Sequence, residues 1–118
     1  MAERWRLVVR DGAIVRKSTL VNMESALMEL QAETAQAAGR PTAEPVGFVG
    51  RDFAPEDLVV MRAQLRGPER FVSKVRCGID VRGDGTLEPW IGGSKRRQVE
   101  PRKREDAWQA LRRELGVS

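Results

Sequence analysis

The sequence contains no histidine and only one cysteine, Cys77. A single cysteine cannot form an intramolecular disulfide, and a zinc site lacks its usual Cys and His ligands. A Ser-His-Asp or Cys-His catalytic arrangement lacks its base. These absences exclude most metal-dependent and hydrolytic chemistry. We therefore expect a protein that is not an enzyme and that needs neither a cofactor nor a metal.

Long hydrophobic runs are also missing. No segment approaches the roughly 20 apolar residues that span a bilayer. Near the N-terminus the continuous apolar run is limited to Leu7, Val8 and Val9, well short of the roughly 7–15 residues in a signal-peptide core. We expect a cytoplasmic protein that does not act at a membrane.

The composition is that of a globular protein, with 41% apolar and 32% charged residues in a chain of 118. This length predicts one domain with a single modest core. The net charge is +4 but uneven: residues 1–60 carry seven Lys/Arg against nine Asp/Glu, and residues 61–118 carry fourteen against eight. The excess in the second half indicates an anionic partner, although ordinary solvated strand faces would explain it too.

The first half predicts a hairpin followed by a helix. Residues 4–10 alternate as a strand, with Trp5, Leu7 and Val9 on one face, and Asp11-Gly12 is a hairpin signal that returns the chain over residues 13–19. Asn22 is typical of an N-cap, and residues 23–38 carry an apolar stripe at helical spacing.

The middle of the chain is less clear. Residues 40–57 predict a loop with a short strand near residues 46–50 and a turn at Ala54-Pro55. Residues 58–66 fit both a strand and a helix. We favour the strand, because it can pair across Gly67-Pro68 with the strand that follows.

Residues 71–104 are the stretch around which the chain is organised. They begin as an alternating strand with one apolar and one charged face, turn at Gly83-Asp84-Gly85, and continue into a segment that contains Trp90. The apolar face holds Val75, Cys77, Ile79 and Val81, and the charged face holds Lys74, Arg76, Asp80 and Arg82. Residues 105–115 predict a final helix whose first turn is acidic.

These elements predict a single α+β domain over residues 1–118, in which a mainly antiparallel sheet of five or six strands carries two helices on one face. The expected core comprises Trp5, Leu7, Val9, Leu27, Leu30, Val59, Met61, Leu65, Val75, Cys77, Ile79, Val81, Trp108, Leu111 and Leu115.

The strongest functional candidate is the basic run in residues 95–104, which holds six cations. Such a run can neutralise several phosphates, or it can be a solvated loop. Arg76 and Arg82, on the strand that precedes this run, extend the candidate surface. Arg62 and Arg66 extend it further if residues 58–66 form a strand. The predicted nucleic-acid-binding residues are Arg76, Arg82, Trp90, Lys95, Arg96, Arg97, Arg102, Lys103 and Arg104.

Three further features have ordinary structural explanations beside functional ones. Trp90 could stack on a base, but such a residue is more often an anchor in the core or at a sheet edge. Asp80, Asp84 and Glu88 partly match a calcium loop, yet Arg82 occupies a ligand position and a hairpin turn explains the glycines. Cys77 is expected to be a buried small hydrophobic residue.

The element order from Met23 onward resembles the α-β-β-β-α order of double-stranded-RNA-binding domains. The segment from Gly93 to Arg97 (GSKRR) is similar to the basic stretch before that family's last helix. The chain departs from the family pattern in three ways: residues 98–104 intervene before the last helix, no histidine follows Gly67-Pro68, and an extra N-terminal hairpin is present. We therefore do not assign the chain to that family.

Two functional hypotheses follow. The first is a non-enzymatic binding module whose basic C-terminal face contacts a polyanion. The polyanion that we favour is nucleic acid, bound through its phosphates. The alternative is a small protein–protein adaptor or a self-associating homodimer that uses sheet-edge or apolar contacts.

Overall fold

The computed structural model describes residues 4–40, 47–48, 51–52, 58–67, 76–92 and 95–117. A six-stranded antiparallel sheet has the order β2-β1-β5-β6-β7-β8, and a separate pair is formed by β3 and β4. The elements are β1 (Trp5–Asp11), β2 (Ile14–Leu20), α1 (Met23–Ala38), β3 (Gly47–Phe48), β4 (Arg51–Asp52), β5 (Val59–Arg66), β6 (Arg76–Arg82), β7 (Leu87–Ile91), β8 (Arg97–Gln98) and α2 (Ala107–Glu114). The predicted α+β class is confirmed.

Both helices pack on the same face of the sheet. Helix α1 contacts β1, β5 and β6, whereas α2 contacts β7 and β6. The helices are tied to each other by the Trp108 indole, whose Nε1 donates to Thr34 Oγ1 at 2.9 Å, and by the Arg112–Glu24 ion pair at 2.8 Å. The opposite face of the sheet has no helix over it among the described residues.

Local side-chain signals set the start of each helix: α1 begins where the sequence predicts it, and α2 begins two residues later than predicted. The Asn22 side chain accepts a hydrogen bond from the Ser25 amide at 2.7 Å, as an N-cap does. At α2 the N-cap is Asp106, which forms a capping box with Gln109. The acidic pair predicted for the first turn of this helix therefore lies just before it.

The core lies between the sheet and the helices. It is built from alternate strand residues, because successive side chains point to opposite faces. Its buried members are Trp5, Leu7, Val9, Ala26, Leu27, Leu30, Ala37, Met61, Ala63, Leu65, Cys77, Ile79, Val81 and Leu111. Trp108 and Leu115 are half-buried and pack against this cluster.

One predicted core residue is wrong. Val59 is 41% exposed. The pairing of β5 with β6 shifts between Val59 and Met61, which places Val59 opposite Arg82 rather than in line with the buried residues. Such a bulge reverses the face of the residues before it. Val75 and the turn at Ala54-Pro55 lie outside the described residues.

Residues 58–66, which the sequence left ambiguous, form strand β5. This strand pairs with β1 on one side and β6 on the other. The short strand expected near residues 46–50 corresponds to β3, which pairs with β4. No helix in the described ranges is long and apolar enough to cross a membrane.

Candidate functional site

The sheet face opposite the helices, here called the open face, is formed by the alternate strand residues that do not enter the core. Residues that pair across neighbouring strands lie on the same face of the sheet. The register of the strands therefore identifies the residues of the open face. They are Val15, Lys17 and Thr19 of β2, Arg6, Val8 and Arg10 of β1, Val59, Arg62, Gln64 and Arg66 of β5, Arg76, Gly78, Asp80 and Arg82 of β6, Glu88 and Trp90 of β7, and Gln98 of β8.

Three arginines stand directly opposite one another on neighbouring strands of the open face. Arg6 of β1 pairs in register with Arg66 of β5, and Arg66 pairs with Arg76 of β6. We call these three residues the arginine row. Like charges placed directly opposite each other on a sheet destabilise it, and none of the three forms an ion pair with any described residue. Among the described residues, this line of positive charge therefore has no carboxylate that compensates it.

A concave groove adjoins the arginine row. Its volume is about 380 Å³. Seven of its nine lining residues are polar or basic, and Val8 contributes an apolar patch on the open face. The lining residues are Arg6, Leu7, Val8, Arg10, Lys17, Ser18, Thr19, Gln64 and Arg66. Four cations around one groove produce a positive potential, which favours anions in general.

In the other half of the open face, two carboxylates lie among the arginines. Asp80 accepts from Arg62 Nε at 3.0 Å and Nη2 at 3.2 Å, and Glu88 accepts from Arg82 and, at 2.6 Å, from Gln98. Hydrogen bonding from the Arg82 guanidinium lowers the pKa of Glu88. The open face is thus divided into a half in which carboxylates pair with arginines and a half whose cations form no ion pair with a described residue.

Trp90 lies flat over the backbone of β6. A Cβ atom added to Gly78 would come within 2.5 Å of Trp90 Cζ2, so the indole occupies the space that a side chain at that position would fill. The indole Nε1 donates to Asp80 at 3.1 Å, and the side chain is only 4% exposed. Trp90 is therefore an anchor on the open face and not a freely exposed ring.

Arg96 covers the outer surface of this indole. Its Cζ atom lies 3.8 Å from the ring centroid, a cation–π contact, and its Nη1 atom is 3.9 Å from Asp80. Burial, with a smaller contribution from the nearby Arg62 cation, lowers the pKa of Arg96. The guanidinium is held by its surroundings, yet the side chain is still 37% exposed.

The predicted binding residues do not all lie together. Four of them, Arg76, Arg82, Trp90 and Arg96, lie on the open face. Arg97 pairs in register with Ile91 on the helix side and forms an ion pair with Glu114 at 3.3 Å. Lys95 is exposed beside β8, and Arg102, Lys103 and Arg104 are exposed in the loop between β8 and α2. The basic run is thus spread over two sides of the sheet and a loop.

Sequence reasoning placed Arg62 and Arg66 on the candidate surface, and both project from the open face. It did not include Arg6, Arg10 and Lys17 among the binding residues. The alternation in β1 already put Arg6 and Arg10 on the polar face of that strand. The missing information was that β1 lies next to β5, which brings these cations beside Arg66.

The residues that partly match a calcium loop have other roles. Asp80 and Glu88 bind arginines, as described above. The Asp84 carboxylate accepts from the Thr86 amide at 2.9 Å inside the β6–β7 turn, and Gly85 supplies the φ of +88° that this turn requires. The two arginine contacts and the turn together account for all three carboxylates without a calcium ion.

Cys77 is fully buried in the core, as the alternation predicts. Burial raises the pKa of its thiol to about 12. We expect the folded protein to react negligibly with a thiol reagent such as DTNB near neutral pH, because the thiolate is the nucleophile. The unfolded chain in denaturant should release one equivalent of chromophore at once, and rapid labelling of the native protein would contradict the buried position.

The described residues form a two-layer α+β domain with an open sheet face that carries many arginines. No protein-family model, curated protein or solved structure matches the chain.

Proposed function

We propose that the protein is a non-enzymatic binding module whose open sheet face contacts nucleic acid through its phosphates. The observation that carries this proposal is the arginine row. Arg6, Arg66 and Arg76 face one another without a carboxylate partner among the described residues, whereas the neighbouring Arg62 and Arg82 are both neutralised. An arrangement that costs stability in the free protein becomes favourable when phosphates lie across it.

The groove beside the row supports the same proposal. Arg10 and Lys17 add positive charge along the direction of the strands, so a polyanion can follow a continuous basic path over β2, β1, β5 and β6. Contacts of this kind fix position and supply affinity, but they carry little sequence information. We therefore expect weak sequence preference and strong dependence on salt.

The test measures binding of oligonucleotides by fluorescence anisotropy at salt concentrations from about 50 to 200 mM. A triple variant with Arg6→Gln, Arg66→Gln and Arg76→Gln should bind more weakly and should reduce the slope of log K against log salt by about 2–3 units. This change corresponds to the loss of three phosphate contacts.

A charge-matched control is available in the same chain. Arg102→Gln, Lys103→Gln and Arg104→Gln remove the same charge from the exposed loop before α2. We expect this control to keep nearly the full salt slope. If the loop variant loses binding and the row variant does not, the site lies in the basic run. If the unmodified protein binds no nucleic acid at low salt, the proposed function is wrong.

A second candidate function is that of an adaptor or a self-associating protein, and one observation favours it. Strand β2 has a strand neighbour on one side only among the described residues, and its Ile14 and Val15 are 61% and 46% exposed. Edge strands of this kind can pair with an added strand. A dimeric mass by light scattering, reduced to a monomeric mass by Val15→Lys, together with no nucleic-acid binding, would establish this alternative.

A further inference from the structure

The stack of Gly78, Trp90 and Arg96 on the open face has no role in the phosphate contacts described above. Trp90 is held flat by Gly78 below and by its hydrogen bond to Asp80, and Arg96 lies over it at 3.8 Å. This separation is a contact distance, so no base fits between the indole and the guanidinium. Among the described residues of the stack, Trp90 is 4% exposed and the Arg96 side chain 37% exposed, so the outer face of Arg96 is the main surface that the stack offers to solvent.

We propose that the Arg96 guanidinium is a stacking surface for an unpaired base, and that the ligand is therefore single-stranded nucleic acid. This inference rests on the proposed function. Unpaired bases stack on aromatic rings and on arginine guanidinium planes. A guanidinium that is itself immobilised on an indole loses little side-chain freedom when a base stacks on it. In a duplex, the base faces are already stacked on one another and cannot reach Arg96.

The position of the stack suits a single strand that also contacts the arginine row. Gly78, which lies under the indole, is two residues from Arg76 on the same strand, a separation of about 7 Å. A strand that crosses the open face can therefore place a phosphate at Arg76 and the neighbouring base on Arg96. Around Asp80 and Glu88 the carboxylates offset the charge of Arg62 and Arg82, so this part of the face attracts a phosphate less strongly than the arginine row and is compatible with a base.

The inference is tested with three probes of equal strand length: an oligothymidylate, the same oligomer with abasic sites in place of the bases, and a duplex. Phosphate contacts alone predict equal binding of the first two. We expect the oligothymidylate to bind at least about fivefold more tightly than the abasic oligomer, because one stacked base contributes about that factor. It should also bind more tightly than the duplex.

The decisive variant is Arg96→Lys, which keeps the positive charge and removes the planar guanidinium. We expect it to reduce binding of the oligothymidylate to the level of the abasic oligomer and to leave binding of the abasic oligomer unchanged. The matched control is Arg97→Lys, the adjacent residue, whose side chain lies on the helix side beside Glu114. This control should retain the preference for bases, and thermal melting should confirm that both variants are folded.

The two proposals fail in different ways. Equal binding of the oligothymidylate and the abasic oligomer by the unmodified protein would overturn the stacking inference and leave phosphate binding intact. A preference for bases that survives Arg96→Lys would overturn it as well. Absence of binding to all three probes at low salt would instead overturn the proposed function.

Discussion

Trp90→Ala is expected to lower the free energy of unfolding by about 3–5 kcal/mol, the cost of truncating a buried aromatic side chain. The indole is 4% exposed and fills the space between the β6 backbone and Arg96. Its removal leaves a cavity on the open face and takes one hydrogen-bond donor from Asp80. Since small domains are stable by only about 5–15 kcal/mol, this single change should be evident in urea unfolding followed by circular dichroism.

Trp90→Phe is the matched comparison, because it keeps an aromatic ring over Gly78 and removes only the donor to Asp80 and part of the volume. Loss of a hydrogen bond to a charged group costs about 1.5–3 kcal/mol. The difference between the unfolding free energies of the two variants measures how much aromatic packing over Gly78 contributes to stability. A cost below about 1 kcal/mol for Trp90→Ala, far under the range for a buried aromatic side chain, would show that the ring is not packed on the sheet and would remove the basis of the stacking inference.

Leu111→Ala is expected to cost about 2–5 kcal/mol, as for other buried leucines. Leu111 is 1% exposed and brings α2 into the main core. Helix α2 has eight residues, and isolated helices shorter than about 12–15 residues are marginal in water. Its helical structure therefore depends on this packing, and amide hydrogen exchange should show loss of protection throughout α2.

The control for this prediction is Leu115→Ala, at the C-cap of the same helix. Leu115 is half-buried and packs against the edge of the core, so its truncation removes less apolar area from the folded state and should cost clearly less. Equal effects of the two substitutions, or retained protection of α2 in Leu111→Ala, would mean that the helix is not anchored through Leu111.

Much of the fold follows from local signals in the sequence. The β1–β2 hairpin is specified by Asp11-Gly12, where Gly12 adopts a φ of +63°, and α1 is specified by its Asn22 cap and its helical period. These features depend on residues close together in the chain. For residues 58–66, local patterns allowed two structures, and only pairing with strands elsewhere in the chain selected the strand.

The candidate site was predicted less well because it depends on which strands are neighbours. Arg6 and Arg66 are sixty positions apart in the sequence, and only the pairing of β1 with β5 brings them together. Lys95 to Arg104 form a dense run in the sequence, but the chain alternates faces through β8 and then leaves the sheet. Charge density along the chain thus indicated a basic protein but did not indicate which cations share a face of the sheet.

The alternation of the strands has a consequence for insertions and deletions. In β1, Trp5, Leu7 and Val9 enter the core while Arg6 and Arg10 form the open face. A one-residue slip would exchange these two sets, burying arginines and exposing a tryptophan. Folding and the proposed phosphate binding therefore require the same strand alignment. We infer that length changes are tolerated in the connecting turns, and that inside β1, β5 or β6 they would abolish folding before binding could be altered.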